Sequence, residues 1–391
     1  MARALPSWRK LEAHPLLANV DHDQAARLNF LTHLNVHLSK TMVPSMKDAY
    51  EQQVKPFIEQ PQTRHDIRKA MLNNGFFQMW SALRRNTMEM RHQLGRAIVL
   101  PQAKALAAKV QHYNQGQSSL QLDENIEQPI NGAIVDIHCQ PGGYHTEYFS
   151  DDVSVAASYD LGLFVTTAGL LGSLSDGGGQ AIVNWLQSEH PKFQPKRILD
   201  LGCTIGHNVL PLAQAYPQAQ VVAVDTARPS IRYAHARAKA LGVENITFVQ
   251  ANAENLSQYA DGSFDLITTS MFLHELSSSA LANISKECYR LLAQGGLNLH
   301  LEQPQYAGME LFEQFMRDWD TLFNNEPFWG PMHDLELDQV FTKAGFDAGS
   351  VFSVGVVSKV DPAIFGSDAN KGEAQDYGRA PIWNAYGLWK K

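Results

Sequence analysis

Cysteine is scarce in this 391-residue sequence: Cys139, Cys203 and Cys288 are the only three, far apart and without a C-x-x-C spacing. That count excludes a disulfide framework and a structural zinc centre. Long apolar runs are also missing. No stretch approaches the about 18 residues of a membrane-spanning helix, and the opening MARALPSWRKLEAHPLL lacks the unbroken apolar segment of a signal peptide. The expectation is a soluble, cytoplasmic protein with no membrane partner. Charged residues are only 18% of the chain, which points to surface hidden in a core, a pocket or a subunit interface. Positive charge is not in excess: 32 Lys and Arg face 40 Asp and Glu, a net charge of −8. A nucleic-acid backbone would repel such a chain, so no nucleic-acid partner is expected. Hydrophobic residues make up 44%, enough for a substantial core, and the length suits two domains or one with a large extension.

Residues 1–116 carry helical texture. Leu28, Leu31, Leu34 and Leu38 recur with helical period, and Pro44 and Pro56 then punctuate the chain. Thr63 followed by Asp66 has the form of an acidic capping box opening a further helix, with Gly75 as an interruption before Trp80 and Leu83. Pro101 precedes a helix over Ala103 to Val110. Residues 117–158 change character: the β-like run Ala133 to Cys139 ends in Pro141-Gly142-Gly143, which predicts a small hairpin acting as a cap element. From Arg197 strands and helices alternate. Strands are expected at Arg197 to Leu201, Val221 to Val224, Ile246 to Val249, Phe264 to Thr268 and Leu297 to Leu301. Such alternation specifies a parallel sheet covered on both faces, with its ligand at the carboxyl ends of the strands.

The loop Asp200-Leu-Gly202-Cys-Thr-Ile-Gly206 closes the first of these strands and Asp225 closes the second. Glycine lets backbone approach a ligand, and an acidic residue there suits a ribose diol. A nicotinamide cofactor requires G-x-G-x-x-G and a pyrophosphate at the helix start, which Asp200 would repel. A cationic nucleoside without phosphate fits the acidic loop better.

Residues 197–296 resemble a class I S-adenosylmethionine-dependent methyltransferase of the small-molecule type. The resemblance rests on ILDLGCTIGHN, VVAVD, FVQANAENL before FDLITTSMFLHEL, and LLAQGG. It continues more weakly to residue 357, where AGFDAGSVFSVGVV resembles the closing antiparallel hairpin of that fold. The fold it implies is α/β, a doubly wound, Rossmann-like seven-stranded sheet over residues 159–360, with a mainly helical N-terminal domain. Residues 303–333 form an aromatic insertion and 361–391 a tail packing back on the body. The implied cofactor is S-adenosyl-L-methionine, leaving as S-adenosyl-L-homocysteine. Carried over by position, Asp200, Gly202, Cys203 and Gly206 would line its methionine moiety, and Asp225 with Thr226 its ribose. Asn252 and Ala253 would meet the adenine, Ser270 and Met271 would flank the cofactor, and Tyr159 would reach it from the preceding helix. The family usually has glycine where Thr204 stands and aspartate where Asn252 stands.

Methyl transfer is an in-line displacement that gains mostly from alignment in a dry pocket. A base is needed only for a hydroxyl or protonated amine acceptor. His274, Glu275 and Glu302 are the catalytic candidates, since all three sit where the fourth and fifth strands end. His274 reads as a base, or else as a ring packed under the adjoining helix. Tyr144, His145, Phe312, Phe315 and Trp319 are the candidate acceptor wall; the last three also have the spacing of ordinary helical core. His33 and His37 share a helix face but lack a third ligand, so no metal is expected. Arg84-Arg85 reads as a solvated face which, turned inward, would suit a carboxylate-bearing substrate. The function these readings imply is methylation of a small molecule, on oxygen first, then nitrogen or sulfur. The helical half is the candidate surface for a homodimer. The rivals are a sulfonium-assisted pericyclic or elimination reaction, and a protein-binding module that the cofactor merely stabilises.

Overall fold

The computed structural model describes residues 7–8, 14–129, 135–169, 171–357 and 382–391. Its centre is one eight-stranded sheet in the order β1-β4-β3-β2-β5-β6-β8-β7. The strands are β1 (Leu120–Gln121), β2 (Arg197–Leu201), β3 (Gln220–Asp225), β4 (Ile246–Gln250), β5 (Phe264–Ser270), β6 (Leu292–Leu301), β7 (Phe352–Val357) and β8 (Ile382–Trp389). The strands from β4 to β6 pair in parallel and are apolar on both faces, as helices on either side require. One layer of core holds Ile198, Phe248 and Leu299, and the other holds Leu199, Val224 and Ile267.

The sheet differs from the seven strands expected. Leu120–Gln121 adds a short parallel edge to β4. The closing hairpin is not made within AGFDAGSVFSVGVV: only Phe352–Val357 is strand there, and Ala344-Gly345 ends a helix. Its partner is β8, from the segment expected to be a tail, which lies antiparallel between β6 and β7. The rest of that tail, up to residue 381, falls outside the described residues. No hairpin forms among the described residues of 117–148. Ile137–Cys139 is a single tight turn there, and part of the expected β-run falls outside the described residues.

The helical cap begins as one rod. Helix α1 (His22–His37) passes through a π-helical turn, Leu38–Met42, into α2 (Val43–Ala49) and a second π-helical turn, Tyr50–Val54. Pro44 therefore does not break the rod: it stands in the first turn of α2, where the widened π turn accommodates its missing N–H. The Thr63–Asp66 capping box opens α3 (Arg64–Met71), and the Asn74 side chain caps α4 (Gly75–Val99). Helix α5 (Ala103–Asn114) packs on α9 (Arg228–Ala240) of the sheet domain. Helix α6 (Ser154–Thr166) is buried against α4. Asp160 on it accepts from His14 Nε2 at 2.7 Å and Tyr233 Oη at 2.8 Å, tying the cap to the sheet domain.

Helix α7 (Gly177–Glu189) starts on the glycine triplet because it crosses the chain at Asn208, where a Cβ on Gly179 would lie 2.1 Å from a carbonyl oxygen. Helices α8 (Leu210–Ala215) and α10 (Ser278–Leu291) flank the sheet. The insertion supplies α11 (Leu311–Arg317), α12 (Trp319–Phe323) and α13 (Trp329–His333), before α14 (Leu337–Ala344). Phe315 and Trp319 are buried with Phe77 and Trp80 of α4, each such ring contributing about 1.5–3 kcal/mol. Beside them buried Asp318 takes Arg64 Nε at 3.0 Å and Arg68, while Arg64 binds Asp334 bidentately at 2.6 Å. These contacts lock the insertion onto α3.

Candidate active site

Between the cap and the carboxyl ends of the strands lies a cavity of about 690 Å³. Its floor is the glycine loop. Gly202 has φ +71°, and a Cβ there would lie 2.4 Å from Phe272, so the turn needs glycine. Thr204 also takes left-handed backbone, φ 45°, which accounts for glycine being usual at that position. Asp225 accepts from the backbone N–H of Thr204 at 2.9 Å through one oxygen and of Ala227 at 2.8 Å through the other. Each oxygen retains a lone pair for a ligand. Asp200, buried beneath the loop, accepts from Thr268 Oγ1 at 2.7 Å. Burial raises Asp200 to about 7 and Asp225 to about 6, so both are poised to ionise fully beside a cation.

Most of the expected cofactor residues meet here. Tyr159, Asp200, Gly202, Cys203, Asp225, Thr226, Ser270 and Met271 all line the cavity. Three do not. Gly206 instead packs its backbone against Phe248 and Ala234. Asn252 turns its side-chain oxygen onto the N–H of Glu254, Ala253 is buried in the sheet's outer core, and Glu254 takes their place on the wall.

Above the floor stands a second, acidic cluster. A tight turn, Leu273–Glu275, follows β5 and is pinned by Glu302 at the end of β6. Glu302 accepts from the N–H groups of Leu273 and His274, at 3.0 and 3.3 Å, and from His274 Nδ1 at 2.8 Å. It is fully buried and does not reach the cavity, so it positions His274 rather than touching a substrate. His274 Nε2 lies 3.8 Å from Glu326 Oε2, an oxygen closed to solvent without a hydrogen-bond donor. Burial alone would lower His274, but Glu302 and Glu326 raise it to about 9. Glu275 accepts from Tyr144 Oη at 3.0 Å and pairs with His138 Nε2 at 3.2 Å. His138 Nδ1 meets Glu326 at 3.0 Å. Against burial, Glu326 and Glu275 raise His138 to about 10.

Of the five residues named for the acceptor wall, Tyr144 and His145 line the cavity. Phe312, Phe315 and Trp319 do not. The helical phase of the insertion turns them to the cap: Phe312 stacks on Tyr50 at 4.9 Å and Trp319 meets Trp80 at 5.7 Å. Glu313, Met316, Arg317 and Asp320 face the cavity instead. His138, Glu326 and the inward face of α4 are site residues that the motifs do not mark. On α4, Trp80, Arg84, Met88 and Arg91 follow a helical spacing that could have been read as one face. Among the described residues no group of three or more His, Cys, Asp or Glu is placed to hold a metal ion, and no helix is long and apolar enough to cross a membrane.

A family model for methyltransferase domains matches residues 198–296. An uncharacterized methyltransferase of Synechocystis is 31% identical over 170 residues, spanning 43% of this chain and 76% of that protein. The chain belongs to the class I S-adenosylmethionine-dependent methyltransferases. The methyltransferase is also similar to a demethylmenaquinone methyltransferase of Thermus thermophilus, 38% identical over 110 residues, 28% of this chain and 48% of that one. A ubiquinone biosynthesis O-methyltransferase of Paracidovorax citrulli is 30% identical over 114 residues, 29% of this chain and 46% of the relative. The chain thus spans about half the length of these two relatives. Among solved structures, phosphoethanolamine N-methyltransferase 2 of Haemonchus contortus has a TM-score of 0.41 at 18% identity, covering 59% of this chain and 58% of that one. The residues of the floor fit the family's cofactor: two buried carboxylates, Asp200 and Asp225, stand beside the glycine turn.

Proposed function

We propose that this methyltransferase acts on a hydroxyl oxygen of a small-molecule acceptor, with His274 as general base. When bound, the cofactor supplies an electrophilic methyl carbon on a sulfonium, and leaves as S-adenosyl-L-homocysteine. The chain's own residues hold and align the partners. Asp225 receives the ribose hydroxyls, and Asp200 places negative charge under the loop. Glu302 holds the Nδ1 proton of His274, so that Nε2 is the nitrogen facing the cavity and becomes the acceptor once the ring has lost its second proton. A hydroxyl seated between His274 Nε2 and Glu326 Oε2 would give its proton to the ring as its oxygen bonds to the methyl carbon and the carbon–sulfur bond breaks.

The observation that carries this reading is the buried Glu302–His274 pair opening onto a cavity shared with the glycine loop. Binding alone would need no chamber there, and the cavity has room for a cofactor and a small acceptor. The relative named as an O-methyltransferase agrees with oxygen. Nitrogen comes second, because the donorless oxygen of Glu326 would also receive an ammonium.

The test is turnover against phenols, catechols and primary amines, reading S-adenosylhomocysteine formation. His274→Gln should lower kcat by about 10²–10⁴-fold while S-adenosylhomocysteine affinity holds. In the wild type kcat/KM should rise with pH until the ring is neutral, below about 9 because a bound cation lowers His274 further. An unchanged kcat in the variant refutes His274 as the base.

A further inference from the structure

Every other cation on the cavity wall is either matched to a carboxylate or held neutral. Arg84 binds Asp320 through 3.0 and 3.1 Å contacts, and Arg317 meets Glu313 at 3.1 Å. His138 is held by Glu275 and Glu326, and His274 by Glu302. Burial lowers His145, and it lowers His207 to about 3, leaving both rings neutral. Arg91 is different. Its guanidinium lines the same cavity, yet among the described residues its partners are the hydroxyl of Thr166 and the ring of His92, at 2.7 Å from Nη2. Among the described residues no carboxylate touches it, and its Nε is closed to solvent without an acceptor.

The sequence builds this arrangement. Arg91 lies seven positions after Arg84 on the inward face of α4, so it is Arg91, rather than the Arg84-Arg85 pair, that offers donors to the cavity. The Arg91 side chain runs beside Gly162 of α6, where a Cβ would be in ordinary contact with its Cδ at 3.5 Å. The same ring nitrogen, His92 Nε2, also lies 2.9 Å from the carbonyl of His138, so it accepts from Arg91 in one tautomer and donates to that carbonyl in the other. Five N–H donors belong to a guanidinium, and the two contacts leave donors on both terminal nitrogens. Burying such a group without an anion is costly, and burial lowers its affinity for its own proton. Burial is the main cause of that lowering, and the carboxylate of Glu326 acts against it.

Resting on the methyltransferase reading above, we propose that Arg91 receives an anionic group of the acceptor, a carboxylate or its equivalent, at the cap end of the cavity. The acceptor is then an amphiphile. Its hydroxyl points to His274 and Glu326, its apolar body lies against Leu38, Trp80, Met88 and Met316, and its anion meets the planar fork of Arg91.

The probe pair is benzoate and benzamide, alike in shape and different in charge. Each is titrated into protein saturated with S-adenosylhomocysteine, following the change in tryptophan fluorescence, to which the wall residues Trp80, Trp329 and Trp383 contribute. Benzoate should bind at least tenfold more tightly than benzamide. Arg91→Gln should erase that preference and Arg91→Lys should keep part of it, since lysine retains charge without the fork. Both variants should bind S-adenosylhomocysteine within about twofold of the wild type. Equal affinity for the two probes in the wild type, including no binding of either, overturns the proposal, and that measurement needs no variant to fold. Loss of S-adenosylhomocysteine binding in a folded Arg91→Gln also overturns it, by assigning the guanidinium to the cofactor's own carboxylate. Failure of the wild type to take up S-adenosylhomocysteine would instead bring down the methyl-donor reading itself.

Discussion

Cofactor affinity should climb steeply between pH 5 and pH 8. In the ligand-free protein burial raises Asp200 to about 7 and Asp225 to about 6, so each holds its proton well above the usual carboxylate range. A ligand that brings an ammonium and a ribose diol requires both ionised. At pH 5 about 1% of Asp200 and about 9% of Asp225 would be ionised, against about nine-tenths or more of each at pH 8. The product gives about a 10³-fold gain in affinity, roughly 4 kcal/mol, as an upper bound because Asp225 has access to the cavity. The sign follows from linkage: the free protein carries protons the complex does not, so binding releases them and is favoured by raising the pH. Calorimetry of S-adenosylhomocysteine binding at several pH values, in buffers of different ionisation enthalpy, measures both the affinity and the protons released. Asp200→Asn should leave only the Asp225 titration, about tenfold across the same range. A dissociation constant that stays flat from pH 5 to 8 in the wild type would refute the poised-carboxylate account.

Other outcomes follow from the same geometry. Gly202→Ala places a methyl group 2.4 Å from Phe272 at φ +71° and should weaken S-adenosylhomocysteine binding at least tenfold by calorimetry. Gly206→Ala, at φ +76° but away from the cavity, should act on the urea midpoint more than on affinity. Asp318→Ala leaves Arg64 and Arg68 without their buried partner and should cost about 3–5 kcal/mol in urea denaturation. Glu302→Gln keeps the shape but removes the charge that raises His274. Its kcat/KM should then rise at a lower pH than the wild type's, with Glu326 still acting on the ring, and level off at a lower value.

The central strands and Asp225 were legible because their signals are local. RILDL is a continuous apolar strand followed at once by the glycine loop, and Arg197–Leu201 is strand at those bounds. Helix α3 likewise begins where Thr63 and Asp66 reciprocate. The remainder depends on contacts between distant segments. Glu326 meets His138 from 188 positions away, and neither residue sits in a motif. The insertion's aromatics do have helical spacing, but periodicity alone does not say which side of a helix will face the cavity. Here the cap claims Phe312, Phe315 and Trp319, leaving the charged and Met positions for the ligand. Strand β8 was hidden because IWNAYGLW, buried on both faces, shows no alternation and has no partner nearby in sequence.

That late strand also shapes how the molecule is made. On the ribosome β6 emerges with its outer edge bare, and the whole insertion, α14 and β7 must be synthesised before β8 arrives to cover it. A nascent chain paused in that interval exposes unpaired backbone beside apolar side chains, a template for pairing with a neighbour on the same polysome. Holding the emerging edge apart until translation delivers Ile382–Trp389 is a task suited to a chaperone.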